Sequence, residues 1–184
     1  MPREDAQATP AVGAQSVGVA ELLGLAVYVI SRRRCYLDYP IGSLVAWLLP
    51  PAQLGQLCIF RDRHSQVVGY MTWAFLTPET ERTWLSESGG VWHISEWQEG
   101  VRLWIVDLVV SGGMLRECIR QAANVLGAYE EARYCRSARH KIPPPCMVIR
   151  RCASGRVTFA RERRADERES AERSRSRLVG HTAK

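Results

Sequence analysis

No Cys-x-x-Cys pair occurs in this chain of 184 residues, and no histidine stands at zinc-finger spacing from any of its six cysteines (Cys35, Cys58, Cys118, Cys135, Cys146 and Cys152). No metal site is therefore assigned. Residues 1–16 carry Glu4 and Asp5 and lack the basic start and apolar core of a secretory signal. The thiols are accordingly expected to be reduced, mostly buried side chains of a cytoplasmic protein. The apolar run Val19–Ile30 contains Glu21 and falls short of the ~20 residues that span a bilayer, so no membrane span is expected. A Walker loop, a Rossmann glycine run, a His-Glu-x-x-His helix and a serine nucleophile elbow are all missing.

What is present suits one globular domain. Hydrophobic residues make up 46% of the chain and six are tryptophan, enough for a real core. The formal charge of +6 and a pI near 9.2 suggest an acidic partner: nucleic acid, an acidic protein or anionic lipid. Beyond Arg161 the composition shifts to Arg, Glu, Ser and Ala, with almost nothing apolar. Interleaved Glu162, Asp166, Glu167, Glu169 and Glu172 dilute that basic field, which makes nucleic acid the least favoured partner. The expected organisation is a disordered N-terminus over 1–16, one domain over 17–161, and a charged, basic tail over 162–184.

Within the domain, Val19, Leu22, Leu23, Ala26 and Ile30 recur at helical spacing, predicting a helix from about Val17 to Arg32. A second, short helix is expected over Ile41–Leu49, buried through Ile41, Leu44, Val45 and Leu48 and stopped by Pro50-Pro51. Gln56–Arg61 and Val67–Leu76 read as a hairpin around Asp62–Gln66, with His64 a solvated turn residue. Thr77-Pro78-Glu79 starts a helix ending at Gly89-Gly90, and Trp92–Gly100 is ambiguous, with a short helix carrying Trp97 one reading. A helix over Met114–Leu126 follows, buried along Leu115, Cys118, Ile119, Ala122, Val125 and Leu126. Past Pro143-Pro144-Pro145, strands are expected over Cys146–Arg151 and Arg156–Ala160, joined through Ala153-Ser154-Gly155.

The chain is organised around Arg102–Gly113, RLWIVDLVVSGG. A continuous run of aromatic and β-branched residues predicts a strand buried on both faces. Asp107 lies in its middle. A carboxylate is rarely buried without a partner, so Asp107 is either a structural acceptor or a working acid or base.

A strand leading into a Gly-opened helix after a hairpin resembles the central unit of acetyltransferase-type folds. Three blocks sharpen this: Tyr39-Pro40-Ile41; Pro51–Gln56 running into the hairpin with Gly69–Ala74; and Glu96–Asp107, EWQEGVRLWIVD. In this order and spacing they resemble the toxin-activating lysine acyltransferases, which attach a fatty acyl chain to internal lysines of RTX pore-forming toxins. The resemblance covers about Leu23 to Arg161. It implies a single-domain α/β fold similar to the GNAT acyltransferases, with a mixed, largely antiparallel sheet and packed helices. It implies an acyl donor carried on acyl carrier protein rather than coenzyme A, no tightly bound cofactor, and an RTX-type protoxin as substrate. A homodimer is compatible with it. It also implies a catalytic His and Asp, and Asp107 occupies the Asp position.

The residue aligned with the family's His is Tyr36, and Arg33-Arg34 stand where the family has Ser-Pro. A lysine acceptor, with a pKa of about 10.4, needs a base as its nitrogen attacks a thioester. Tyrosine, ordinarily near pKa 10, is roughly one-thousandth ionised at pH 7. Tyr36 therefore acts as a tyrosinate favoured by Arg32, Arg33 and Arg34, or donates a hydrogen bond while Asp107 is the base, or fills a dead site. The three arginines have two readings, as cations suited to a helix C-terminus or as a docking surface for the acidic acyl carrier protein. Two functions follow: a protein-lysine acyltransferase with an altered site, or a catalytically silent relative that binds acyl carrier protein or a partner protein.

Overall fold

The computed structural model describes residues 17–86, 92–127, 129–135, 146–152 and 157–161. The expected loose termini, the Gly89-Gly90 stop, the triproline, His140 and the 153–155 link lie outside these. A six-stranded sheet runs in the order β1 (Leu57–Arg61), β2 (Val67–Leu76), β3 (Arg102–Val110), β4 (Glu131–Cys135), β5 (Cys146–Arg151) and β6 (Val157–Arg161). Every pairing is antiparallel except β3 with β4. This is the mixed, largely antiparallel α/β arrangement expected. Among the described residues no helix is long and apolar enough to cross a membrane.

Two helices cover one face: α1 (Val19–Ser31) and α2 (Ile41–Gln53). Ala26, Val29 and Ile30 of α1 meet Leu44, Leu48 and Ala52 of α2 over Leu57, Tyr70 and Val109. The helix α2 differs from expectation, because it runs through Pro50 and Pro51 instead of stopping before them. Each proline forfeits one helical N–H bond. The turn still closes, with Leu54 N–H donating to the Pro50 carbonyl at 3.0 Å and Gln56 N–H to that of Pro51 at 2.7 Å. Pro51 itself is buried, so its ring contributes packing where its amide cannot bond. Ile41 is not core: it is 78% exposed, and Val45 is also exposed.

The opposite face is covered by α4 (Leu115–Val125), whose Cys118 and Ala122 pack on Phe60, Val68, Met71, Leu103 and Ile105. Leu115, Ile119 and Val125 of its expected stripe stay exposed. At one end of the sheet, α3 (Pro78–Ser86) starts with Thr77 Oγ1 accepting the Thr80 N–H at 3.1 Å. There Trp104 is fully buried against Trp84, edge to face at 5.1 Å, and its indole N–H donates to Glu81 at 3.1 Å. A 3-10 turn over Ile94–Trp97, capped by His93, resolves the ambiguous Trp92–Gly100 stretch. Gly100 then enters β3 so close to β2 that a Cβ there would overlap the Leu76 carbonyl.

One irregularity positions the site. Thr72 pairs with Asp107, but the next residue, Trp73, pairs with Ile105, leaving Val106 as an extra residue in β3. Side chains alternate along a strand, and a bulge resets that alternation. Leu103 and Ile105 face α4. Without the extra residue Asp107 would follow them. With it, Asp107 turns toward α1 and α2, the face that also takes Tyr70 and Val109.

The strand β4 is absent from the sequence reading. It is five residues long, Glu-Ala-Arg-Tyr-Cys, and only Ala132 in it is fully buried, so no apolar run or clean alternation marks it. The thiols also differ in part from expectation. Cys118 is buried, but Cys58, Cys135 and Cys146 are half-buried, and Cys35 and Cys152 are exposed.

Candidate active site

The turn between α1 and α2 carries Tyr36 to the central strand. Tyr36 ends a 3-10 turn over Arg34–Tyr36, with its N–H bonded to the Arg33 carbonyl at 3.0 Å. Its ring lies against Tyr39 and Trp47 at centroid distances of 5.8 and 5.9 Å, and those two rings meet edge to face at 5.5 Å. This aromatic trio holds the hydroxyl over the bulge. The Tyr36 hydroxyl donates to Asp107 Oδ1 at 3.3 Å, across 71 positions of sequence.

A second tyrosine, which the sequence reading passed over, completes the clamp. The Tyr70 hydroxyl donates to Asp107 Oδ2 at 2.5 Å. Tyr70 has no exposed surface. Alternation along β2 puts Tyr70 on one face with Thr72 and Ala74. What could not be read was that the bulge swings Asp107 to that same face.

Charge in this cluster is governed by burial. Desolvation raises the Asp107 carboxyl above the ordinary carboxylate range, while the hydrogen bonds from Tyr70 and Tyr36 and from the Leu108 backbone pull it part of the way back. Both tyrosines are pushed above their ordinary value, first by burial and then by the Asp107 charge. Tyr36 is therefore a neutral hydroxyl that donates, and the tyrosinate alternative loses its physical basis. A carboxylate with raised pKa, by contrast, binds a proton more readily.

Asp107 and Tyr36 face a cavity of about 520 Å³. The parallel pairing of β3 with β4 covers only Trp104↔Arg133 and Ile105↔Tyr134. Past Ile105 the two strands part, and the cavity opens between them. Met71, Leu103, Ile105, Ile119, Ala122 and Leu126 make its α4 side, and Ala132, Tyr134 and Ile149 its β4–β5 side. The wall is predominantly apolar, with Glu130 and Arg151 adding charge. Its size and lining suit a small molecule or a long aliphatic chain.

The three arginines are not part of this wall. Arg32 and Arg34 are exposed and Arg33 half-buried, on the turn that presents Tyr36. Arg32 lies over the Tyr28 ring at 5.4 Å and donates to its hydroxyl at 3.1 Å. None of them contributes to the Tyr36 shift. His64 sits on the hairpin turn beside Arg63, and His93 caps the second 3-10 turn. Neither meets Asp107. Among the described residues no cluster of His, Cys, Asp and Glu could hold a metal.

Comparison with known proteins places the chain in a family. The profile of the RTX toxin acyltransferase family matches residues 15–142, which take in Tyr36, Asp107 and strands β1 to β4. The chain belongs to the RTX toxin acyltransferase family. Within curated proteins it is 23% identical over 103 residues to the lysine-acyltransferase RtxC of Vibrio cholerae, across 55% of this chain and 65% of RtxC. It is 22% identical over 105 residues to the uncharacterized protein sll0720 of Synechocystis, across 56% and 71% of the two chains. In solved structures, a histone acetyltransferase HPA2-related acetyltransferase from Corynebacterium glutamicum gives a TM-score of 0.40 at 10% identity, covering 68% of this chain and 75% of that one. The family match stops short of β5 and β6, so the cavity wall contributed by Ile149 and Arg151 lies beyond it.

Proposed function

We propose that this protein is a cytoplasmic protein-lysine acyltransferase that moves a fatty acyl chain from acyl carrier protein to an internal lysine of an RTX-type protoxin. What carries the reading is one carboxylate, Asp107, held by two tyrosine hydroxyls on the wall of an apolar cavity. Family membership supplies the reaction class.

In this reading the acyl chain occupies the cavity and its thioester carbonyl lies near Asp107. The acceptor ammonium gives a proton to Asp107, whose raised pKa makes it a stronger base than an exposed carboxylate. The amine nitrogen then forms the C–N bond, the C–S bond breaks, and the departing thiolate takes the second proton that the nitrogen sheds as it becomes an amide. Tyr70 and Tyr36 keep the carboxylate oriented through these steps. Tyr36 thus fills the space of the family's His without its basicity.

That same substitution favours a second reading, a silent relative that still binds acyl carrier protein or a partner protein. Incubating a candidate protoxin with acyl-acyl carrier protein and this protein, then measuring intact mass, separates the two. Acyl-sized increments that vanish with Asp107→Asn support the enzyme. Stable binding with no increment, also after Tyr36→His, supports the silent relative.

A further inference from the structure

One residue of the cavity wall, Cys135, belongs to a pair of groups that acyl transfer does not use. Cys135 is the last residue of β4 and Cys146 the first of β5, and the strand register pairs them directly. Their sulfurs stand 2.8 Å apart. Directly opposed residues of antiparallel strands have Cβ atoms about 4.5–5.5 Å apart, near the ~3.5–4.5 Å of a disulfide, so a small adjustment suffices to join them. Both are half-buried, and Cys135 lines the cavity.

We infer that Cys135 and Cys146 are a redox-active dithiol, closed to a disulfide by a hydroperoxide and reopened by a thiol reductant. One thiolate attacks the peroxide, its O–O bond breaks, and a sulfenic acid forms. The second thiolate displaces water from that sulfur and the S–S bond closes. Two thiols lose two electrons and two protons, and hydrogen peroxide gains them to become two waters. The bond fastens the end of the β4–β5 ladder. That matters because β4 is paired to β3 at only two positions and to β5 at five, so most of its strand pairing is with β5.

The test uses the full chain, treated with a small excess of hydrogen peroxide. The intact mass is expected to fall by two hydrogen atoms. Proteolytic mapping should join the Cys135 peptide to the Cys146 peptide, and dithiothreitol should undo the link. Amide exchange in residues 131–135 should slow several-fold on oxidation. The substitution Cys146→Ser should abolish both link and slowing. Mapping of the unaltered protein decides the matter even if that variant folds poorly. Oxidation that stops at sulfinic acid, a link through Cys35 or Cys152 instead, or a link without slower exchange in β4 would overturn the inference. No step involves acyl transfer, so the outcome is independent of the enzymatic reading.

Discussion

Replacing Tyr70 by Phe removes one oxygen and leaves the ring in place, which isolates the hydrogen bond to Asp107 Oδ2. A hydrogen bond to a charged group is worth about 1.5–3 kcal/mol. The hydroxyl is fully buried, so water cannot easily replace it. At neutral pH Tyr70→Phe should therefore lower unfolding free energy by about 1.5–3 kcal/mol, or roughly 3–12 °C in Tm for a chain of this size. The pH dependence identifies the cause. Burial holds the folded Asp107 pKa above its unfolded value near 3.9. The folded chain then binds the proton more tightly, and stability falls as pH rises from the unfolded value through the folded one. Loss of the Tyr70 bond, which favours the charged form, raises the folded pKa further and widens that window. Urea unfolding across a pH series should show the largest deficit above the folded pKa and a small residue below the unfolded one. Equal stability of the two proteins at neutral pH, or a deficit of constant size at all pH values, would refute the reasoning.

Asp107→Asn should retain the fold by circular dichroism, because the amide can accept from one tyrosine and donate to the other; acyl transfer should fall by about a hundredfold or more. At neutral pH its Tm should equal or exceed that of the native chain, an advantage that disappears as pH falls through the folded Asp107 pKa. Tyr36→Phe breaks only a 3.3 Å bond and should cost about tenfold or less in rate, whereas Tyr36→His should raise the rate; a hundredfold loss in the Phe variant would give the hydroxyl a direct part in the reaction. Charge reversal of Arg32, Arg33 and Arg34 together should weaken binding of acyl carrier protein and flatten its salt dependence in a titration at varied ionic strength. Gly100→Ala should destabilise by about 1–3 kcal/mol in chemical unfolding, since its Cβ would overlap the Leu76 carbonyl.

Local chemistry alone determined much of this protein. The apolar periodicity of α1 and α4, the turn residues of the β1–β2 hairpin and the Thr-Pro start of α3 are short-range signals, and each element stands where those signals put it. The β-branched run around Asp107 likewise placed that carboxylate on a strand, and the three motif blocks pointed to the acyltransferase family. Other features depend on residues far apart in the chain. Pro50 and Pro51 read as a stop because the local rule counts lost N–H bonds, yet α2 runs through both and buries Pro51. The strand β4 exists because β3 and β5 offer their edges to five residues with no strong preference of their own. Most decisively, alternation along β3 predicts that Asp107 shares a face with Ile105. Only the register against β2 inserts Val106 and turns the carboxylate to Tyr70 and Tyr36. Residue types are written in the sequence, but the side of the sheet a residue faces, the partner it meets and the water it loses are set by packing between distant segments. Those three decide the charge Asp107 carries.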